Sequence, residues 1–447
     1  MTESAHRSWS FKPRFRSATA ALAIATAFAL TTAWTQAAQA QTFTVLHTFT
    51  GGPDGGRPFD GVIVDPSGNL YGATYAGGYS GGSCATVPTG CGTIFKLTNR
   101  HPGWVFQPLY SFKGPPDGNY PAGVVIGPDG TLYGATYGGG IVNQGSCVLG
   151  VNGCGTVFRV RPPATFCATA SCPWSETVLY SFTGENGDAG GPYNGDLIFD
   201  KTGSIFGTTE WGGANEWGAA YKLTPSQGGW TESVIYSFDA SGPQGWGVPQ
   251  TGLLMDQSGN LYGTTVWGNS YADGVLYQLT PSQSGYTGSV VHAFTCDANG
   301  CLPQALTWDP SGNILAATGG AGLYNGGTVF KLLAAHGWSL ETMFQFTPQQ
   351  ATGNRLTMDP QGNLYGTAPD GGAHGLGSVF KLTPADNGYI YTDLYDFKGG
   401  ADGAYPYGPV ALDADGNLYG TTNEAGNLND CLGEFDSGCG TVWEITP

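Results

Sequence analysis

One short phrase, a turn followed by a strand, recurs seven times along the chain, and few folds can accommodate that. It first appears as Asp65-Pro-Ser-Gly-Asn-Leu-Tyr-Gly-Ala-Thr74 and returns around Gly134, Gly207, Gly263, Ala316, Gly366 and Gly420, at intervals of 50 to 73 residues. Internal repetition at such a period marks solenoids, propellers and arrays. Three further runs accompany each copy. An apolar stretch such as Gly61-Val-Ile-Val-Asp65 precedes the turn. A run such as Gly92-Thr-Ile-Phe-Lys-Leu97 follows it, and a run such as Val178-Leu-Tyr-Ser-Phe182 closes the unit. Each has four to eight residues rich in Val, Ile, Tyr and Phe, bounded by Gly, Pro, Asn or Asp, which reads as a strand. We name the four strands a, b, c and d in chain order.

Four short strands per unit, seven times over, match the blades of a β-propeller. The ends of the repeat region decide between a ring and an open solenoid. Thr44-Val-Leu-His-Thr-Phe49 is a d-type strand standing before any strand a, and Gly440-Thr-Val-Trp-Glu-Ile445 is a strand c with no d after it. A solenoid would leave both edges ragged and unpaired. The expected fold is therefore all-β, a seven-bladed propeller over residues 41–447, closed by pairing the first strand with the last blade.

Residues 1–40 stand apart. Arg7, Lys12, Arg14 and Arg16 precede an apolar run from about Ala20 to Leu30, and Ala38-Gln-Ala40 offers a cleavage site. This is the pattern of a secretory signal, so a secreted or periplasmic protein beginning at Gln41 is expected. Without the leader, 12 Lys+Arg face 32 Asp+Glu. Such a surface repels nucleic acid and anionic membranes, and a monomer without membrane insertion is expected.

The ten cysteines fall into five local pairs, Cys84/Cys91, Cys147/Cys154, Cys167/Cys172, Cys296/Cys301 and Cys431/Cys439. In an exported chain this reads as disulfides, each closing a small loop worth about 2–2.5 kcal/mol. The spacing lacks the nearby His pairs of a zinc site. Units one, two and seven have b–c connections nine or ten residues longer than units three to six, and each long connection carries a Cys pair. In a closed ring these three loops are neighbours.

Strand alternation puts b–c and d–a loops on one face. The d–a loops leading into units one, two, three and seven carry Asp54, Asp117, Asp188 and Asp402. Their carboxylates are candidate ligands for Ca²⁺, or ordinary Asp-Gly turn residues. Trp211, Trp217, Trp267, Tyr79 and Tyr137 lie in b–c loops and are candidate platforms for a sugar ring or a peptide side chain. Asp closes strand a in six units, at 65, 200, 256, 309, 359 and 413. These carboxylates are expected to cap their own turns and not to form a metal ladder.

No catalytic residue is assigned. Gly78-Tyr-Ser80-Gly-Gly82 fits a nucleophile-elbow pattern, yet no helix follows it. The leading expectation is a non-catalytic binder of carbohydrate or protein on the long-loop face, with no cofactor. The alternatives are a polysaccharide hydrolase or lyase using carboxylates at the channel mouth, and a structural surface or matrix element.

Taken together, Gly-Asn-Leu-Tyr-Gly-Thr-Thr, Gly-Thr-Val-Phe-Lys-Leu-Thr and Leu-Tyr-Ser-Phe closely resemble the exported bacterial GloVer repeats of choice-of-anchor tandem repeat proteins. The resemblance covers about residues 42–447. It implies an exported repeat protein and transfers no catalytic residue. Relatives often end in a sorting signal, whereas the last unit here stops at strand c, so no anchor is expected.

Overall fold

The computed structural model describes residues 41–447, apart from 87–89, 101–102, 143–152, 164–173, 194–195, 242–244, 269–272, 284, 351–354, 387 and 428–436. Residues Thr42–Thr446 form one compact unit.

Seven antiparallel sheets follow one another with the strand order a-b-c-d expected of propeller blades. Blade 1 consists of Val62–Val64, Leu70–Thr74, Thr93–Arg100 and Gly103–Ser111. Blade 7 consists of Ala411–Leu412, Leu418–Thr422, Thr441–Thr446 and, from the other end of the chain, Thr42–Thr48. That last pairing closes the ring, with Val45 opposite Trp443 and His47 opposite Val442. In blade 5 the inner strand is interrupted, and both Cys301–Pro303 and Thr307–Trp308 pair with Ile314–Gly320. Among the described residues, no helix is long and apolar enough to cross a membrane.

Each element of the repeated phrase has a packing reason. The central Gly of strand b lies beneath the aromatic ring of strand c. A Cβ on Gly72 would come within 2.5 Å of Phe95, and one on Gly207 within 2.4 Å of Tyr221. Strand c in turn packs against the next joint in the ring. The Phe that ends each strand d inserts against the strand-c aromatic of the following blade. The seven pairs are Phe49–Phe95, Phe112–Phe158, Phe182–Tyr221, Phe238–Tyr277, Phe294–Phe330, Phe346–Phe380 and Phe397–Trp443, with ring centroids 4.9–6.1 Å apart. All seven strand-d Phe side chains are fully buried. Edge and tilted contacts of this kind add about 0.5–1.5 kcal/mol per pair beyond the area they bury.

The a–b turns behave as the sequence predicts. Asp65 accepts hydrogen bonds from the Ser67 and Asn69 backbone N–H (2.8 and 2.9 Å), the Asn69 amide (2.7 Å) and the Tyr71 hydroxyl (3.2 Å). Asp256, Asp359 and Asp413 repeat that set. In blade 2 Gly127 replaces this Asp, and Asp129 takes over by accepting from Thr131 and Tyr133.

Disulfides link Cys84 to Cys91 and Cys296 to Cys301. Cys154 and Cys439 are also disulfide-bonded. Cys147, Cys167, Cys172 and Cys431 lie outside the described residues, as does most of the long b–c connections of blades 2 and 7.

Because the ring is closed, its closing joint should be worth as much as any other. Phe49→Ala and Phe182→Ala should each cost about 3–5 kcal/mol of unfolding free energy, read by denaturant titration. A cost under about 1 kcal/mol for Phe49→Ala alone would mean a frayed, open end.

Candidate functional site

The residues around the central mouth are placed by a joint that sequence reading overlooked. Six of the seven units carry a Pro just before strand a: Pro58, Pro121, Pro192, Pro249, Pro303 and Pro406. Each Pro ring lies against the Gly that precedes strand c of the previous blade. A Cβ on Gly92 would come within 2.5 Å of Pro121 Cδ, and one on Gly377 within 2.2 Å of Pro406 Cδ. The residue before each Pro is left-handed. Arg57, Tyr120, Val248, Leu302 and Tyr405 have φ of 56–59°, a region that side chains with a Cβ rarely occupy. What holds them there is a hydrogen bond into the previous blade. Arg57 N–H donates to the Cys439 carbonyl (2.8 Å), Tyr120 to Cys91 (3.1 Å), Val248 to Trp217 (2.8 Å) and Tyr405 to Leu376 (2.9 Å).

The residue after the Pro is thereby aimed at the mouth. These residues are Phe59, Ala122, Tyr193, Gln250, Gln304 and Tyr407. A second set is the residue following the last Thr of strand b, which is Tyr75, Tyr137, Glu210 and Asn423 in blades 1, 2, 3 and 7. Together they build an uneven collar. On the side of blades 7, 1, 2 and 3 it is aromatic. Tyr405 stacks on Tyr407 (6.4 Å), Tyr407 on Phe59 (5.2 Å), and Phe59 meets Tyr193 edge-on (6.4 Å). Tyr193 in turn meets Tyr137 edge-on (5.8 Å), and Tyr75 stacks on Tyr120 (4.4 Å). Toward blades 4 and 5 the collar is polar, with Gln250, Gln304 and Thr251 facing the mouth.

Two cavities sit in this mouth. One of about 240 Å³ is bounded by Arg57, Tyr75, Tyr120, Tyr137 and Asn423, and one of about 210 Å³ by Tyr407, Gln250 and Gln304; Phe59 and Tyr193 border both. A polar thread crosses the seam between aromatic and polar halves. Tyr137 donates to Glu210 (3.1 Å), Gln250 donates to Glu210 (2.8 Å), and Trp211 Nε1 donates to the Tyr137 hydroxyl (3.4 Å). Burial, with Glu210 alongside, pushes the Tyr137 hydroxyl up to about 12, so it stays protonated and donating.

Below the mouth the chain continues into the channel. Asp60, the residue after Phe59, lines a third cavity of about 270 Å³ with Asp196 and Arg355. The Arg355 guanidinium is ion-paired with Asp196. Burial, and then the adjacent Asp196 carboxylate, hold the Asp60 carboxyl well above the ordinary range, with Arg355 acting in the opposite sense.

Of the residues singled out in the sequence, the structure brings Tyr137 and Trp211 together at the mouth. Trp211 and Trp267 are 39% and 44% exposed, and both belong to short ladders pairing b–c with d–a loops, at Ala189–Gly190 and Trp246–Gly247 respectively. Tyr79 is 45% exposed and, like Trp267, borders neither mouth cavity. Trp217 packs against the core between blades 3 and 4.

The four acidic loop residues are anchors. Asp54 accepts from His47 (3.1 Å) and Thr50 N–H (3.0 Å), Asp117 from Tyr110 (2.8 Å) and Lys113 N–H (3.0 Å). Asp188 accepts from Thr183 N–H (2.7 Å), and Asp402 from Tyr395 (3.0 Å) and Lys398 N–H (2.9 Å). Each ties its d–a loop to the strand d before it, and none borders the mouth cavities. Among the described residues no group of three or more His, Cys, Asp or Glu is arranged to hold a metal ion.

Asp60→Asn should remove a pH dependence. Below the ordinary carboxylate value both folded and unfolded Asp60 are protonated, so variant and wild type should be equally stable. As pH rises past that value the unfolded chain releases the proton first and wild-type stability falls, until Asp60 ionises in the fold. Chemical denaturation between pH 3.5 and 8 should therefore show the variant gaining on wild type with rising pH; a constant difference would contradict the buried assignment.

Residues 146–359 match the family described as Gloeobacter/Verrucomicrobia repeat. No curated protein matches the chain. Among solved structures, a fungal alcohol oxidase of the AA5 family, in complex with copper, is 12% identical, with a TM-score of 0.53 over 92% of this chain and 77% of its own. A putative 6-phosphogluconolactonase from Bacteroides uniformis is 13% identical, covering 81% of this chain and 89% of its own with a TM-score of 0.47. The PQQ-bound aldose sugar dehydrogenase of Streptomyces coelicolor is 14% identical, covering 73% and 93% with a TM-score of 0.41. The first of these likenesses is one of fold. The repeated phrases, the seven blades and the match agree: residues 146–359 carry the Gloeobacter/Verrucomicrobia repeat, set in a propeller of blades.

Proposed function

We propose that this protein is an exported, non-catalytic propeller that binds carbohydrate at its central mouth, on the face bearing the b–c and d–a loops. The observation that carries the reading is the division of the collar into an aromatic half and a polar half. A sugar ring has a face of C–H groups and a rim of hydroxyls. Its C–H face suits the electron-rich faces of Tyr407, Phe59, Tyr193 and Tyr137. Its hydroxyls need the donors and acceptors that Gln250, Gln304, Glu210, Arg57 and Asn423 offer. An apolar concavity with a few convergent polar groups is the usual form of a small-molecule site. Export is supported by the basic and apolar pattern of residues 1–40 and by the disulfides.

The second reading is a polysaccharide hydrolase or lyase. Its carboxylates would be Asp60 and Asp196, which share one channel cavity with Arg355, and not the loop-bound Asp54, Asp117 or Asp402. Turnover of a polysaccharide that disappears in Asp60→Asn would favour it.

On a glycan array, Tyr193→Ala and Tyr407→Ala should each weaken binding tenfold or more, because one stacked ring is worth about 1–1.5 kcal/mol beyond its buried area. Trp211→Ala, which removes support behind Tyr137, should weaken it less, and Trp267→Ala should leave it unchanged. Wild-type binding retained in both Tyr variants would reject the mouth as the site.

A further inference from the structure

The channel beneath the collar holds a cluster that the mouth reading leaves unused. Strand a enters the channel at its first residue, and most blades keep that position small: Gly61, Gly123, Gly252, Ala305 and Pro409. Blades 3 and 6 place Asp196 and Arg355 there instead. The small residues leave no space for additional side chains near the cluster. A Cβ on Gly123 would come within 2.0 Å of Asp60 Oδ2, and one on Gly252 within 2.3 Å of Asp196 Cβ. Three charged-type side chains from blades 1, 3 and 6 thus share one cavity, with walls of Val62, Val124 and Val410.

Two features suit the cluster to binding a ligand. Arg355 Nε is buried with no hydrogen-bond partner among the described residues, although buried polar groups are normally paired. Arg355 spends one nitrogen on Asp196, yet about a third of its side chain (34%) still faces the cavity. The charges are also matched. Arg355 is ion-paired with Asp196, and burial beside that carboxylate favours the uncharged form of Asp60, so the cavity is not built around an excess of either charge. It offers donors in the Arg355 guanidinium and hydrogen-bonding oxygens in the Asp60 and Asp196 carboxyl groups. That combination suits the hydroxyls of an uncharged sugar, and the aliphatic walls suit its C–H groups.

We propose that the Asp60–Asp196–Arg355 cavity is a subsite for the terminal unit of a neutral sugar chain that enters the channel end-on past the aromatic collar. The inference rests on the carbohydrate reading of the mouth. The two sites are consecutive because Phe59, which borders both mouth cavities, is followed directly in the chain by Asp60, which lines the channel cavity. Chain ends are therefore selected over chain interiors.

The test uses the full chain on an array of neutral linear oligosaccharides, each printed through its reducing end so that the other end is free. Wild type, Asp60→Leu, Asp60→Asn and Tyr193→Ala are compared, with melting temperatures confirming that each variant folds. Asp60→Leu removes the hydrogen-bonding group while keeping its bulk, and should weaken every retained glycan about tenfold, the fold-change expected for one hydrogen bond in a closed site. Asp60→Asn keeps a polar group there and should lose less than Asp60→Leu. Wild-type affinity in a folded Asp60→Leu overturns the channel subsite; if Tyr193→Ala still loses binding, the mouth reading survives it. Failure of wild type to retain any neutral glycan overturns both.

Discussion

The contact on which the rest of this structure depends is the one between the Phe at the end of strand d and the strand-c aromatic of the next blade. A four-stranded blade is too thin to bury both its faces alone, so its stability is shared with its neighbours. The seven aromatic pairs repeat around the ring with centroid separations of 4.9–6.1 Å. One of them, Phe49–Phe95, joins residues that strand pairing at the chain ends has brought into place. The aromatic under strand b also explains why the phrase keeps a Gly or Ala at its centre, since a larger side chain would displace the ring that the next blade needs.

A second joint, nearer the axis, converts this repetitive scaffold into a site. The Pro before strand a rests on a Gly of the previous blade, and the residue before it is held left-handed by a hydrogen bond into that blade. Left-handed residues with a Cβ persist only where their surroundings over-determine them, and here the same surroundings recur in blades 1, 2, 4, 5 and 7. The constraint falls on the backbone, so the side chain after the Pro is free to vary. Phe, Tyr and Gln occupy it in different blades, which is how a near-symmetric ring acquires an aromatic half and a polar half.

The aspartates illustrate how one residue type serves three purposes. The six that close strand a cap their own turns. Those at 54, 117, 188 and 402 fasten loops, three of them to the Tyr or His seven residues earlier. Asp60 and Asp196 do neither, and lie in the channel with Arg355. Asp-Gly turn chemistry is written locally and could be read from the phrase itself. The channel pair could not, because Asp60 and Asp196 are distant in sequence and meet Arg355 only across the axis. The one sequence trace of that cluster is that Asp196 and Arg355 stand where other units carry Gly, Ala or Pro.

The fold was almost wholly legible in the chain. Strand-length apolar runs, turn residues and a sevenfold period are local or periodic signals, and the unmatched d and c strands at the two ends force closure because unpaired edges are costly. Of the site, Tyr137 and Trp211 were legible as loop aromatics, whereas Phe59, Tyr193, Tyr407, Gln250 and Gln304 were hidden in the approach to strand a. Which of these side chains reach the mouth depends on the direction each blade's first residues take after the Pro joint, and that direction is set by contact with the preceding blade. A repeat can therefore be read one unit at a time, but a central site belongs to all the units at once, because only ring closure brings their inner ends to a common axis.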